Sequence, residues 1–322
     1  MKDGYGREIS YMRISITDKC NLHCAYCRGE SDCAKESECT YNKGVAELSV
    51  DEIVEITQAA VACGINKIRI TGGEPLVRPD VIEICKRIHA IPGVQELTLT
   101  TNGILLEKYA RGLKEAGVSR LNISMDSLQE EKYRSITGNG KMQAVFRGIQ
   151  AAKEVGLLPI KINVVLLKDF NEDEIVDFVE LTRDEPIEVR FIELMPIGSG
   201  KNQELVRYLP GETVLEKVPE LEEAEVSGVA KLYRLPDGVG KVGLIRPVSR
   251  HFCPACNRIR LTCDGLIKPC LHFEEEIDIR YLHGVELRQA LERAIRRKPM
   301  EHEDFRTGAD SRSNRDMFQI GG

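Results

Sequence analysis

The sequence has no excess of positive charge and no long apolar run. Its 322 residues include 45 Lys and Arg against 51 Asp and Glu, a formal net charge of −6. A nucleic-acid polymer is held by neutralising its phosphates, so this balance argues against a general nucleic-acid binder. No stretch approaches the ~18 apolar residues of a membrane span, and residues 1–13 lack the apolar core of a signal peptide. We therefore expect a cytoplasmic protein without a membrane partner.

Cysteine, in contrast, is abundant. The chain has 11 cysteines, and in a reducing compartment such residues seldom form lasting disulfides. Clustered cysteines there bind metal or carry out redox chemistry. The length suggests about two domains, or one barrel with an appendage.

Short β-branched runs alternate with longer amphipathic stretches. They predict strands at residues 11–16, 67–71, 96–100, 121–125, 161–166 and 188–194, and helices at residues 50–63, 79–89, 105–116, 142–155 and 172–182. Ser49 and Glu52 have the spacing of a capping box before the first helix, and Gly64 stands where it would end. Repeated strand–helix units favour an α/β fold with a parallel, barrel-like sheet and outer helices.

The alternation of strand and helix patterns changes after residue 184. Residues 227–248 predict a hairpin that turns at residues 236–238. We predict two domains, a barrel over residues 1–226 and a smaller α+β module over residues 227–322. Residues 288–298 predict a last helix. We interpret the basic run at residues 293–298 as a solvated helix end, favoured by the helix dipole.

Three cysteines follow the first predicted strand in the spacing C-x3-C-x2-C, namely Cys20, Cys24 and Cys27. Three thiolates on one loop suit one metal centre. An iron–sulfur cube held by three cysteines keeps one iron open for a small molecule. The alternative is a zinc loop completed by a more distant fourth ligand, such as Cys33, Cys39 or His23.

This spacing, with the aromatic Tyr26 before the third cysteine, resembles the signature of the radical S-adenosylmethionine (SAM) enzymes. In that family the open iron binds SAM, and one electron cleaves it to methionine and a 5′-deoxyadenosyl radical. The segment Gly72-Gly73-Glu74-Pro75 matches the next expected mark, although alone it would read as a glycine turn bent by proline. The resemblance implies a partial (β/α)6 barrel with a 4Fe-4S cluster on the three cysteines.

Cys253, Cys256 and Cys270 form a second group, C-x2-C-x13-C. A strand over residues 258–262 would carry Cys263 away from this group, yet a closed cluster with Cys263 and a zinc ribbon stay open as alternatives. Arg258 and Arg260 would project from one face of that strand. Guanidinium groups offer paired donors to phosphate oxygens, which indicates a polyphosphate clamp. A solvated basic edge is the other interpretation.

The two cysteine groups, the run Asn257-Arg258-Ile259-Arg260 and the double glycine at residues 321–322 are together similar to one radical SAM family. Its members cyclise GTP in the first step of molybdenum cofactor biosynthesis. There a second 4Fe-4S cluster holds the guanine. The radical removes the ribose C3′ hydrogen, and C3′ bonds to guanine C8, giving (8S)-3′,8-cyclo-7,8-dihydroguanosine 5′-triphosphate.

The resemblance assigns residues to each ligand. SAM would be contacted by Tyr26, Gly73, Ser124 and Met195. GTP would be contacted by Arg13, Arg69, Thr100, Lys161, Arg258 and Arg260. Catalytic roles would fall to Arg258, Arg260, Gly321 and Gly322.

Arg13, Arg69 and Lys161 each interrupt an apolar predicted strand. A cation facing a dry core without a partner is costly, which favours a triphosphate as that partner. The alternative is that these side chains snorkel to solvent at the strand ends. The double glycine buries no side chain and adds backbone entropy, so it is a poor choice for stabilising the fold. The resemblance implies that this tail reaches into the barrel, and a frayed chain end is the alternative.

The resemblance also implies reduced flavodoxin or ferredoxin as electron donor and cyclic pyranopterin monophosphate synthase as the enzyme that takes the product. It leaves a homodimer open. Cys33 and Cys39 depart from the family's motifs, which do not require them.

Two other functions compete. A peptide-modifying radical SAM enzyme would hold its auxiliary cluster fully by cysteine, and a non-catalytic zinc-binding regulator would need no SAM pocket. The three-cysteine second group, its arginines and residues 72–75 favour the GTP-cyclising reaction.

Overall fold

The computed structural model describes residues 1–28, 46–201, 206–303, 305 and 309–321. The strands of this described part are β1 (Tyr11–Ser15), β2 (Lys67–Thr71), β3 (Glu96–Thr101), β4 (Arg120–Ser124), β5 (Ile160–Leu166), β6 (Ile187–Glu193), β7 (Glu222–Ser227), β8 (Ala230–Arg234), β9 (Lys241–Ile245), β10 (Arg258–Leu261), β11 (Leu266–Lys268) and β12 (Ile277–Asp278). The α-helices are α1 (Ala25–Arg28), α2 (Val50–Ala62), α3 (Val81–His89), α4 (Leu106–Glu115), α5 (Glu130–Thr137), α6 (Met142–Glu154), α7 (Ile175–Glu180), α8 (Thr213–Lys217) and α9 (Gly284–Arg296).

One sheet contains all twelve strands, in the order β12-β11-β10-β1-β2-β3-β4-β5-β6-β9-β8-β7. Strands β1 to β6 are mutually parallel, and each predicted strand matches one of them to within a residue at either end. Strand β1 pairs with β10 and β6 pairs with β9, so the barrel stays partial. The predicted α/β partial-barrel fold is confirmed.

The capping box before α2 is also confirmed, because Ser49 Oγ accepts from the Glu52 backbone and Glu52 accepts from the Ser49 backbone. The helices pack their apolar faces on the sheet and form one continuous core with it. Helix α5 was not predicted. Its sequence is strongly polar and buries only three residues, so it lacks a clear apolar stripe. No helix in the described ranges is long and apolar enough to span a bilayer.

The C-terminal part extends both edges of the barrel sheet. The predicted hairpin is the antiparallel pair β8–β9. Strand β7 was missed, because half of its residues are charged, nearly all are exposed, and among the described strands it pairs with β8 alone, at the sheet edge. The boundary between residues 226 and 227 stays a prediction, since one sheet continues on both sides of it.

The last helix begins earlier than predicted, at Gly284, and ends at Arg296. The interpretation of the whole basic run at residues 293–298 as solvated was wrong at its final residue. Lys298 is 3% exposed, and its Nζ donates to the Pro269 carbonyl at 2.8 Å. The run turns back into the protein after the helix ends.

Candidate active site

Strand register brings three arginines together on the inner face of the sheet. Arg13 of β1 lies opposite Arg260 of β10 on one side and opposite Arg69 of β2 on the other. Residues two apart on a strand share a face, so the paired residues Arg258 and Tyr11 lie on the same face, next to Arg260 and Arg13. Burial lowers the pKa of Arg260 to about 10, and the nearby positive charge of Arg258 contributes to this shift. The row forms a concentrated binding surface for an anion.

A first cavity opens at the carboxyl ends of the barrel strands. It is lined by all three cysteines of the first group and by all four predicted SAM contacts, that is Cys20, Cys24, Cys27, Tyr26, Gly73, Ser124 and Met195. Burial raises the pKa of Cys20 to about 11 and raises those of Cys24 and Cys27 as well. Three soft thiol donors on one cavity wall fit an iron–sulfur cluster.

Tyr26 has a defined place in this cavity. Its hydroxyl donates to Asp126 Oδ2 at 2.6 Å, and Asp126 Oδ1 accepts from the Val165 backbone at 2.8 Å. Burial raises the pKa of Asp126 to about 6, so the carboxylate is mostly ionised at neutral pH. The bond therefore anchors the cysteine loop to the ends of β4 and β5.

The two glycines after β2 let that loop approach the cysteine loop. A Cβ at Gly72 would stand 2.6 Å from the Thr17 carbonyl oxygen, and one at Gly73 would stand 2.4 Å from that of Lys19. Gly73 and Glu74 donate their backbone N–H groups to those same two carbonyls. The glycines therefore permit a close approach between two segments of the chain's own backbone.

Glu74 is buried beside these glycines. Its Oε1 accepts from Leu76 N at 3.0 Å and from Thr101 Oγ1 at 2.8 Å, and its Oε2 accepts from Asn102 N at 2.6 Å. Burial outweighs these bonds and raises the pKa of Glu74 from an ordinary 4.5 to about 7.

This raised pKa predicts a pH effect on the stability of the cluster-free protein. The folded state favours protonated Glu74, so this stabilisation is complete below about pH 4.5 and is lost as the pH rises through about 7. Relative to Glu74→Gln, the wild-type protein should lose up to about 3 kcal/mol over that range. Urea unfolding of both proteins across this range measures the difference, and a pH-independent difference would contradict it.

A second cavity lies next to the first. It is lined by Cys253, Cys256 and Cys270 and by four of the predicted GTP contacts, Arg13, Arg69, Arg258 and Arg260. The two cavities share Asn163, Ile192, Met195 and Met317 as lining residues. The two cysteine groups, more than 220 residues apart in sequence, therefore face one continuous interior.

Arg258 has unused hydrogen-bonding capacity there. Its Nε is buried without a hydrogen-bond partner in the described part of the chain. The guanidinium lies 5.7 Å from the centre of the Tyr11 ring and 5.8 Å from that of Phe252. The predicted strand from residue 258 is confirmed as β10. Cys263 lies beyond its end and does not line the second cavity.

Two predicted GTP contacts lie elsewhere. Thr100 lines the first cavity, and its buried Oγ1 has no hydrogen-bond partner among the described residues. Lys161 lines neither cavity, and its Nζ donates to Glu188 Oε2 at 2.5 Å. Glu188 also accepts from Arg190, so this buried carboxylate balances two cations. Snorkelling to solvent is wrong for Lys161, which is 4% exposed.

Two further cations that were not predicted, Arg190 and Lys298, line the second cavity. Arg190 interrupts an apolar strand as Arg13 and Arg69 do, so the same signal would have found it. Lys298 carries no such signal, because it lies at the end of a basic run. Cys33, Cys39 and Gly322 lie outside the described residues.

The segment before Gly322 lies inside the barrel. Arg260 Nη1 donates to the Ile320 carbonyl at 2.9 Å and to the Gly321 carbonyl. Gly321 has a φ of +69°, and a Cβ there would stand 2.4 Å from Thr71 Cγ2. Phe318 packs under Arg28, whose guanidinium carbon is 4.4 Å from the ring centre. The described tail is therefore packed against both cysteine regions and is not frayed.

Comparison with known proteins agrees with this geometry. Residues 14–182 match the family model described as "Radical SAM superfamily", and residues 187–304 match "Molybdenum Cofactor Synthesis C". A GTP 3′,8-cyclase of Alkaliphilus oremlandii (strain OhILAs) is 49% identical over 328 residues, which cover 100% of both chains. The chain belongs to the GTP 3′,8-cyclase family.

Solved structures show the same fold at low identity. Streptococcus suis SuiB bound to S-adenosylmethionine has a TM-score of 0.57 at 17% identity, covering 88% of this chain and 64% of that one. The chain thus spans less than two thirds of that neighbour. Native anSMEcpe with bound AdoMet has a TM-score of 0.57 at 15% identity, covering 88% and 82% of the two chains. These likenesses confirm the radical SAM barrel.

Membership in the GTP 3′,8-cyclase family makes this protein a radical SAM enzyme, which implies a 4Fe-4S cluster and SAM as cofactors. Both cysteine groups supply the thiol donors that such clusters use. Arg258 Nε and Thr100 Oγ1 are buried polar atoms that a polar ligand would satisfy. The residues present fit the implied groups.

Proposed function

We propose that this protein converts GTP and SAM into (8S)-3′,8-cyclo-7,8-dihydroguanosine 5′-triphosphate, the first step of molybdenum cofactor biosynthesis. The observation that carries the proposal is the shared interior of two cavities, each lined by three cysteines. A radical generated in the first cavity has only a short path to a substrate held in the second. The 49% identity over the full chain supports the same reaction.

Cys20, Cys24 and Cys27 hold the first 4Fe-4S cluster. Tyr26, Gly73, Ser124 and Met195 contact SAM in the same cavity. When bound, the cluster and SAM supply a 5′-deoxyadenosyl radical. The chain's own part is to fix the cysteine loop, through the bond from Tyr26 to Asp126 and the backbone bond from Gly73 to Thr17.

Cys253, Cys256 and Cys270 hold a second 4Fe-4S cluster, which positions the guanine of GTP. Arg13, Arg69 and Arg258 bind the triphosphate, because their guanidinium groups share one face of the sheet beside that cavity. Arg260, which also lines that cavity, Thr100 and Lys161 complete the GTP contacts. For Lys161 this requires the triphosphate to compete with Glu188 for the ammonium group.

Arg260 and the glycine tail act together. The two carbonyl bonds from Arg260 keep Ile320 and Gly321 beside the anion-binding row. Gly321 has no side chain and therefore takes up little space beside Arg260 and Thr71. Gly321 and Gly322 thus help to align the C3′ hydrogen with the radical.

The protein acts in the cytoplasm, with reduced flavodoxin or ferredoxin as electron donor. Cyclic pyranopterin monophosphate synthase takes the product, and the assembly is a monomer or a homodimer. These partners follow from the proposed reaction, which needs a low-potential electron and yields an intermediate for further cyclisation.

Anaerobic incubation of reconstituted protein with dithionite, SAM and GTP tests the proposal. We expect about eight irons per chain, and mass analysis should show a nucleotide with the mass of GTP but a different retention time. Formation of 5′-deoxyadenosine with unchanged GTP would contradict the cyclase reaction but not the radical cleavage of SAM. A count near four irons plus one zinc per chain would contradict the proposed second 4Fe-4S cluster.

In the same assay, Arg258→Ala should weaken GTP binding ten- to a hundredfold, since one charge-assisted phosphate contact contributes about 1.5–3 kcal/mol. SAM cleavage without GTP should stay unchanged. Arg234→Ala is the matched control, because Arg234 is exposed on β8 and lines neither cavity. Normal GTP affinity in the Arg258 variant would show that its placement is wrong.

A further inference from the structure

A short segment joins the two loops that carry the second cysteine group. Residues 298–300, here named the strap, follow α9. Arg7 ties the strap to the first loop. Its Nη1 donates to the carbonyls of Cys253 and Met300 at 2.8 Å each, and its Nη2 donates to that of Pro299 at 2.5 Å.

Lys298 ties the strap to the second loop. Its Nζ donates to the carbonyl of Pro269, the residue that precedes Cys270, at 2.8 Å. The strap therefore sets the separation between the loop of Cys253 and Cys256 and the loop of Cys270. A four-iron cluster with three protein ligands requires that separation to be held.

The Arg7 side chain is itself held in place by Asp3. Its side chain is 9% exposed, and its Nε donates to Asp3 Oδ2 at 2.6 Å. Asp3 Oδ1 in turn accepts the backbone N–H groups of Tyr5 and Arg7 at 2.9 Å each. The planar guanidinium fork satisfies one carboxylate and three carbonyls at once, a geometry that a lysine ammonium cannot reproduce.

Lys298 places a buried positive charge on the cavity wall. It is 3% exposed and lines the second cavity with Cys256 and Cys270. The Pro269 carbonyl is neutral and does not itself compensate the ammonium charge. A buried charge needs an opposite charge nearby, and ligated thiolates in that cavity supply it.

We propose that Arg7 and Lys298 are positioning residues of the second cysteine site, Arg7 by fixing the strap and Lys298 by adding a positive charge beside the ligated thiolates. The inference rests on the second cluster of the proposed function. A nearby cation stabilises the more negative, reduced cluster, so Lys298 raises the reduction potential of that cluster.

The test uses full-length protein carrying Cys20→Ala, Cys24→Ala and Cys27→Ala, in which any cluster is the second one. Into this parent we would introduce Arg7→Lys, Lys298→Met or Lys298→Arg. Arg297→Met is the matched control, because Arg297 adjoins the strap but its side chain is 64% exposed and pairs with Glu275. Iron per chain, the electron paramagnetic resonance spectrum after reduction and the reduction potential are measured for each.

We expect Lys298→Met, which loses the bond to the Pro269 carbonyl, to bind less iron and to shift the potential of the remaining cluster to more negative values, with Lys298→Arg restoring most of both. Arg7→Lys should lower the iron content and broaden the spectrum. A potential and spectrum in Lys298→Met equal to those of Arg297→Met would overturn the role of Lys298. Unchanged iron in Arg7→Lys would overturn the role of Arg7.

A parent that binds no iron would instead overturn the second cluster, and both roles with it. Thermal melting followed by circular dichroism shows whether each variant folds. If Arg7→Lys does not fold, Asp3→Asn replaces it, because this change keeps the size of the side chain and removes the carboxylate charge that fixes Arg7 Nε. Unchanged iron in Asp3→Asn would then overturn the role of Arg7.

Discussion

Cys24→Ala should abolish SAM cleavage, with or without GTP. Cys24 lies with Cys20 and Cys27 on the wall of the first cavity, and its loss leaves two thiol ligands for a cluster that needs three. Iron should fall by about half while the second cluster stays bound. Formation of 5′-deoxyadenosine by anaerobic chromatography and iron per chain measure both effects.

Cys85→Ala is the matched control for this prediction. Cys85 is also a free cysteine, but it is buried on α3 in the apolar core and lines neither cavity. Its substitution removes one sulfur atom from packing and should leave SAM cleavage and iron content unchanged. Residual SAM cleavage in the Cys24 variant, or equal losses in both variants, would show that the cysteine loop does not hold the cluster.

Gly321→Ala should lower turnover by about a hundredfold while both clusters stay bound. The added Cβ would stand 2.4 Å from Thr71 Cγ2, so the tail must move out of the interior. A displacement of about 1 Å near reacting groups costs rates of this order. Deletion of Gly321 and Gly322 should have the same effect, with an unchanged melting temperature, because neither glycine buries a side chain.

Gly228→Ala controls for backbone strain. Gly228 has a φ of +64°, close to the +69° of Gly321, but a Cβ there meets nothing within 4 Å. Both substitutions carry the left-handed penalty of about 1–2 kcal/mol, and only one obstructs the barrel. Single-turnover rates with saturating SAM and GTP compare them. Full activity in Gly321→Ala would show that the tail position does not matter to the reaction.

Local patterns account for the elements that were predicted well. The capping box of Ser49 and Glu52 and the β-branched runs act over a few residues, so they define α2 and strands β1 to β6 in any context. Strand β7 and helix α5 lack such patterns. Strand β7 exists because β8 offers a free edge, and that contact is made only in the folded chain.

The sequence alone determined two expectations. The cysteine spacings predicted metal centres, and the cations that interrupt apolar strands, Arg13, Arg69 and Lys161, predicted an anionic ligand. They could not determine how these parts meet. Parallel pairing of β1 with β10 joins segments almost 250 residues apart and places Arg260 next to Arg13. The pairing of Lys161 with Glu188, the burial of Lys298 and the contact of Gly321 with Thr71 also depend on strand register and packing. Side-chain partners so distant in sequence follow from burial and long-range pairing, which no local pattern encodes.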